Sequence, residues 1–407
     1  MEATVSKQGY EASLNDYVKQ ERAAVDLINS VGKLMYDKGV ELVMFRNHLV
    51  NVTISEVIAL IDYGKDVVSK PIDLYTSAEI AKAMLSLDLA PSKIDIGKLT
   101  YEYQNEKSAF ASINDFLNNK LGDFLGQDKH TFEPKDVVLY GFGRIGRLVV
   151  RELIKQAGRG QQLRLKAIVL RKVNAEELVK RAALLSNDSV HGSFRGTVDV
   201  NEEELSLSLN GQKIQFIQSA NPEDTDYTKY GINNALLIDS TGVFSDRNAL
   251  GRHLKANGIS KVLLTAPGKE IPNIVYGINH KEFDVESENI FSAASCTTNC
   301  ISPILKIVED NLEVVKGHIE TIHAYTNDQN LLDNFHKKPR RGRSAAINMV
   351  ITTTGAGNAV TKVIPTLAGK LTANAVRVPT PNGSLAILNL TVAKETSVEA
   401  VNGLIKD

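Results

Sequence analysis

The chain has 407 residues, 43% hydrophobic and 23% charged, an ordinary globular composition that suggests two or three domains at roughly 100–200 residues each. Its 47 Lys and Arg balance 48 Asp and Glu, so bulk charge implies neither a nucleic acid nor an anionic membrane as partner. Two cysteines, Cys296 and Cys300, exclude a disulfide framework, and no stretch approaches the ~18 apolar residues of a membrane span. The opening residues Met1 to Asp16 lack an apolar core of signal-peptide length, so the expected compartment is the reducing cytoplasm.

Residues 1–130 read as a helical extension. From Tyr17 to Gly39, Val18, Ala23, Leu27, Val31 and Leu34 recur near a helical period. Thr53–Glu56 opens a second helix, Ser77 is a candidate N-cap for a third ending near Leu87, and Ser112 to Leu125 forms a fourth. Glycine is sparse and no strand pattern stands out, so this segment is expected to be all-α, a docking or oligomerisation module without catalytic residues.

The texture changes at Pro134. Val137–Tyr140 is a short apolar run suited to a buried parallel strand. Further strands are expected at Lys166–Leu170, Ala235–Asp239, Lys261–Thr265 and Asn289–Ser292, alternating with helices. That alternation predicts a doubly wound α/β domain of the Rossmann type over 135–295. From 296 to 407 a long helix, Cys296–Leu312, is followed by strands at Lys316–Ala324, Asn374–Val378 and Ser384–Val392. This predicts a separate α+β domain with a mainly antiparallel sheet.

Gly141-Phe-Gly-Arg-Ile-Gly146 sits between the first strand and an apolar helix pattern. In that context the first glycine permits the turn, the second lets backbone approach a pyrophosphate, and the third lets helix and strand pack closely. The expected ligand is a dinucleotide. The second strand should end in an acid that holds the ribose hydroxyls of NAD. It ends instead in Arg171 and Lys172, which suit a 2′-phosphate or are solvated charges. Glu176 or Glu177 on the following helix is the nearest alternative acid, so NAD and NADP both remain open.

Ser295-Cys-Thr-Thr-Asn-Cys300 follows a strand and opens a helix. A cysteine there has its thiolate stabilised by unpaired amides and the helix dipole. His323, in a strand-like run, is a candidate partner for Cys296. Cys300, one turn deeper, is expected to be buried and structural. Two cysteines and scattered histidines make a poor metal set, and no metal is expected.

Taken together, GFGRIGR, DSVHG, STGVF, SCTTNC, HAYTNDQ, RRGRSAA, TTTGA, GKLT and VRVPTPN, in this order, resemble the glyceraldehyde-3-phosphate dehydrogenase family over about residues 136–407. The resemblance implies a phosphorylating, NAD(P)-dependent aldehyde dehydrogenase of glycolysis or gluconeogenesis. Its substrates are glyceraldehyde 3-phosphate and inorganic phosphate, and the expected assembly is a homo-oligomer, a tetramer in relatives. It makes Cys296 the nucleophile and His323 the general base. Ser295, Thr297, Thr326, Thr354, Gly355 and Arg377 would bind the two phosphates, with one further cation from Arg340, Arg341 and Arg343. Phe142, Gly143, Arg144 and Ile145 would join the glycines at the pyrophosphate, with Ser240, Thr241 and Gly242 beside the adenosine and ribose. Thr265 and Asn327 would lie near the nicotinamide. A dehydrogenase of another phosphorylated aldehyde, such as erythrose 4-phosphate, and a catalytically silent relative are the competing expectations.

The chain departs from the family at Tyr140, where an Asn is usual, and in the missing acid. The segment Asn382–Asn389, expected in the sheet core or a subunit contact, is also shifted. Family members continue past the position of Asp407, so the resemblance implies a catalytic domain truncated at its C-terminal end.

Overall fold

The computed structural model describes residues 7–126, 133–156, 163–352 and 354–406. The chain divides into two compact units, Met1–Pro134 with Ile154–Arg164, and Lys135–Leu153 with Leu165–Asp407.

The first unit is led by α1 (Lys7–Lys38), whose buried residues Ala23, Ala24, Leu27, Val31, Leu34 and Met35 form one stripe while Val25 faces solvent. Gly39 ends it at φ 72, a conformation that favours glycine. The chain then forms β1 (Val40–Met44) and β2 (Asn47–His48). The following helices are α2 (Ile54–Asp66), α3 (Leu74–Met84), α4 (Ile96–Glu106) and α5 (Ile113–Lys120), with β3 (Ser92–Asp95) before α4. Thr53 caps α2 in a full capping box with Glu56, and Ser112 caps α5. Asp73, not Ser77, caps α3, and Ser77 is buried with its hydroxyl donating to the Asp73 carbonyl.

The all-α expectation is corrected here by a three-stranded sheet of order β2-β1-β3, with β1 and β3 parallel. Val40–Met44 is short and almost continuously apolar, and periodicity cannot separate such a run from a buried helical segment. Asp95 fastens the sheet to α4. Its carboxylate accepts from the Phe45 and Arg46 amides at 2.9 and 3.1 Å, and from the Lys98 amide as the helix cap.

The second unit contains an eight-stranded sheet. Its parallel members are β4 (Lys135–Tyr140) and β5 (Leu163–Leu170), then β10 (Gln212–Gln218), β11 (Ala235–Asp239), β12 (Ile259–Leu264) and β13 (Ile290–Ser292). Between β5 and β10 the chain forms the small pair β6 (Asn187–Asp188) and β7 (Gly192–Ser193). It then forms β8 (Val198–Asn201) and β9 (Ser206–Leu209), which extend the large sheet antiparallel to β10. The order β13-β12-β11-β4-β5-β10-β9-β8 reverses direction between β4 and β11. Ligands of doubly wound folds bind in the crevice at such a reversal, beyond the carboxyl ends of the strands. The helices α6 (Arg144–Gln156), α7 (Ala175–Ser186) and α8 (Arg247–Gly251) connect these strands.

A second sheet, of order β15-β16-β14-β17, is built from β14 (Val314–Ala324), β15 (Val350–Thr352), β16 (Leu371–Val378) and β17 (Ser384–Val392). β14 pairs parallel with β16, and the other two pairings are antiparallel. The helices of this region are α9 (Cys296–Leu312), α10 (Ala356–Val363) and α11 (Val398–Lys406). β17 lies at the sheet edge with Leu385 and Ile387 exposed, so the Asn382–Asn389 segment is not in the sheet core. Among the described residues no helix is long and apolar enough to cross a membrane.

Candidate active site

The candidate catalytic side chains come from the start of α9 and the end of β14. After β13 the chain turns through Ala294, whose φ of 57 is a left-handed conformation that costs a non-glycine residue about 1–3 kcal/mol. Its amide donates to Ser292 Oγ at 3.0 Å. Ser295 then caps α9, its Oγ accepting from the Thr298 amide at 3.0 Å and lying 2.6 Å from Thr298 Oγ1. Cys296 is the first residue of the helix, exposed, among amides that have no intrahelical acceptor.

His323 is held by pairing on both sides, opposite Arg377 of β16 and Ser384 of β17. Its Nδ1 lies 2.7 Å from the Ala324 carbonyl oxygen. A carbonyl can only accept, so Nδ1 carries the proton and the neutral ring presents a bare Nε2. That Nε2 lies 3.5 Å from Cys296 Sγ.

The expectation for Cys300 is corrected: it is exposed. The buried face of α9 runs through Thr298, Ile301, Ser302, Leu305, Val308 and Leu312. Cys296 and Cys300, one turn apart, share the opposite face.

Beside the pair lies a chain of polar groups. Arg377 Nη1 donates to Thr326 Oγ1 at 2.8 Å and to the Ala324 carbonyl at 3.3 Å. The Thr326 hydroxyl donates to Asp328, which also pairs with Arg341, and Arg341 Nη2 donates to Thr352 Oγ1 at 2.8 Å. Burial pushes the Asp328 carboxyl up, but the Thr326 hydroxyl and the Arg341 charge outweigh it and hold it below the usual carboxylate range. Burial lowers the Arg377 guanidinium, with Asp328 opposing. Of the three clustered arginines, Arg341 therefore joins this chain, Arg343 turns to Asp333 at 2.8 Å, and Arg340 is exposed. Thr297 is half-buried in the first turn of α9, and Thr354 and Gly355 lead into α10.

At the reversal of the large sheet a cavity of about 300 Å³ is lined by Tyr140, Gly141, Phe142, Gly143, Ser240 and Thr241, with Arg171 and Arg181 on its β5 side. The three glycines differ in surroundings. Gly141 takes φ 98, which favours glycine. A Cβ on Gly146 would stand 2.5 Å from the Gly141 carbonyl oxygen, whereas a Cβ on Gly143 would meet nothing within 4 Å. So Gly146 allows helix and strand to touch, and Gly143 leaves open backbone at the N-terminus of α6, where a pyrophosphate fits. Arg144, Ile145, Gly146, Gly242, Thr265 and Asn327 do not line the cavity. Arg144 reaches the Pro381 carbonyl at 3.4 Å, Ile145 and Asn327 are exposed, and Gly242 turns at φ 71.

Tertiary packing also supplies residues with no linear signal. Asp239, fully buried at the end of β11, accepts from the Thr241 amide and hydroxyl at 2.9 and 2.8 Å, and its second oxygen lies 3.0 Å from His253 Nε2. Its carbonyl accepts from the Thr265 amide and hydroxyl, both at 3.0 Å. Asp239 thus holds the loops after β11 and β12 together. Tyr140, in place of the usual Asn, packs edge-on against His253, with ring centroids 4.7 Å apart. An acid ending a parallel strand is a hint in sequence, but its partner His253 is not.

Residues 135–247 match the family described as glyceraldehyde 3-phosphate dehydrogenase, NAD binding domain, and residues 295–407 match its C-terminal domain. The chain is 53% identical over 333 residues to a glyceraldehyde-3-phosphate dehydrogenase-like protein of Pseudomonas aeruginosa (strain UCBPP-PA14), covering 81% of this chain and 72% of the relative. That match is longer than the stretch from Lys135 to the chain end, so it reaches into the first unit. A glyceraldehyde-3-phosphate dehydrogenase 2 of Nostoc sp. (strain PCC 7120 / SAG 25.82 / UTEX 2576) is 42% identical over 273 residues, covering 67% of this chain and 78% of that protein. The chloroplastic glyceraldehyde-3-phosphate dehydrogenase A of Zea mays is 41% identical over 301 residues, covering 73% and 72%.

Proposed function

The chain belongs to the glyceraldehyde-3-phosphate dehydrogenase family, and from that premise we propose that it oxidises glyceraldehyde 3-phosphate through a thioester on Cys296, which inorganic phosphate then cleaves. The observation that carries this reading is the 3.5 Å approach of Cys296 Sγ to His323 Nε2 at a helix start.

In this mechanism His323 Nε2 takes the thiol proton as sulfur attacks the aldehyde carbon. The Cys296 amide at the helix start donates to the developing oxyanion. His323 returns that proton to the oxyanion, which gives the hemithioacetal hydroxyl, and takes it back as the carbon is oxidised. NAD(P), when held against Gly141–Gly143 and the Ser240–Thr241 turn, would supply the hydride acceptor that makes this step an oxidation. An oxygen of inorganic phosphate attacks the thioester carbon, the C–S bond breaks, and the Cys296 thiolate leaves. Arg377, Thr326 and Arg341, with Thr297, Thr354 and Gly355, hold the two phosphates. Ser295 acts on this site as the helix cap that sets the position of Cys296.

The test is reduction of NAD and NADP by glyceraldehyde 3-phosphate, with and without inorganic phosphate, on the chain and on Cys296→Ser. Turnover that requires phosphate and vanishes in Cys296→Ser is expected. Turnover indifferent to phosphate would overturn the phosphorylating step, and activity retained in Cys296→Ser would overturn the nucleophile. Running erythrose 4-phosphate in parallel checks the substrate. The proposal includes a cytoplasmic homo-oligomer, which light scattering on the purified chain and fractionation of cells would check.

A further inference from the structure

Resting on the dehydrogenase reading above, we propose that the β5 side of the cofactor cavity is built for a 2′-phosphate, with Arg171 and Arg181 gripping it, so that the chain selects NADP over NAD.

A site for NAD ends its second strand with a carboxylate that accepts from the ribose hydroxyls. At that position, directly after β5, stands Arg171, and it lines the cavity. Among the described residues the cavity lining contains two guanidinium groups and no carboxylate. A 2′-hydroxyl there has no anionic acceptor, whereas a 2′-phosphate meets two donors able to bind it through paired N–H groups.

The second guanidinium comes from outside the β5 turn. Arg181 lies two turns into α7 and reaches back to the cavity. Its Nε is buried and has no hydrogen-bond partner. Glu177, the acid best placed to replace the missing one, is engaged elsewhere. It lies 3.7 Å from Arg181 Nη2 and 3.6 Å from Lys172 Nζ, and it does not line the cavity. It therefore steers Arg181 instead of meeting a ribose. The same geometry separates the two basic residues after β5: Arg171 faces the cavity, while Lys172 turns to Glu177.

The test is isothermal titration calorimetry on the full chain with NADP, NAD, 2′-phospho-AMP and AMP. It reads binding without turnover, so it stands apart from the proposed reaction. NADP is expected to bind at least about tenfold more tightly than NAD, the equivalent of one charge-assisted hydrogen bond, and 2′-phospho-AMP to exceed AMP likewise. Arg181→Leu and Arg171→Ala should each weaken NADP about tenfold or more while NAD stays within about twofold, which also shows that the variants are folded. Lys172→Ala should keep the preference. Equal or tighter binding of NAD, or variants that weaken both cofactors alike, would overturn the proposal. NAD-selective binding with phosphate-dependent turnover would sink this inference and leave the reaction standing. NADP-selective binding without turnover would do the reverse.

Discussion

Cys296 Sγ and His323 Nε2 lie 3.5 Å apart although 27 residues separate them in the chain, and each is held by a different element. Cys300, exposed on the same helix face, provides a comparison within one molecule. With iodoacetamide at neutral pH, peptide mass spectrometry should find Cys296 alkylated well before Cys300. His323→Asn should bring the two rates together and lower turnover by about 10²–10⁴-fold, the usual contribution of a general base. Unchanged selectivity in that variant would show that the imidazole does not activate the thiol.

The glycines of the phosphate loop should respond in opposite ways. In Gly146→Ala the new methyl meets the Gly141 carbonyl oxygen at 2.5 Å, so a stability loss of about 1–3 kcal/mol is expected in urea unfolding. Gly143→Ala meets open space and should unfold like the parent while losing cofactor affinity, because its methyl occupies the approach of the pyrophosphate. If both variants bind cofactor normally, the loop is not the phosphate cradle.

Asp239→Asn tests the buried anchor. One carboxylate oxygen accepts twice from Thr241 and the other faces His253. An amide oxygen can still accept from Thr241, but its nitrogen can only donate to His253, which forces the imidazole proton onto the buried, partnerless Nδ1 and leaves a donor unmatched at about 1–3 kcal/mol. Denaturant unfolding should register that loss. Calorimetry should show weaker cofactor binding, since the Ser240–Gly242 loop hangs on this side chain.

An acid-sensitive contact lies away from the Cys296–His323 pair. Arg247 grips both oxygens of Glu288, at 2.7 and 3.1 Å. This pairing, against burial, holds the Glu288 carboxyl down at about 2, from an ordinary 4.5. Because the folded-state value is depressed, the contribution is complete above about pH 4.5 and is lost as pH falls towards 2. Glu288→Gln should therefore be less stable than the parent at pH 6, by about 1 kcal/mol given the partial exposure of Arg247. The two melting curves should draw together below about pH 4.5 and meet only near pH 2. A difference as large at pH 2.5 as at pH 6 would rule out the ion pair as its source.

What sequence alone determined is what depends on near neighbours. A glycine-rich turn between strand and helix, a serine cap before Cys296, and the strands Ala235–Asp239 and Ser384–Val392 are set by spacing and local backbone preference. Such features survive whatever the rest of the chain does. Tertiary structure decided everything that needs a partner far along the chain. It turned Val40–Met44 into a sheet strand by pairing it with Ser92–Asp95, and left Cys300 exposed by choosing which face of α9 to bury. It brought Arg341 to Asp328, set His253 on Asp239, and aimed Arg181, and not Lys172, into the cavity. A side chain's residue type says what it can bind, but its direction is fixed by the packing of elements that no linear pattern encodes.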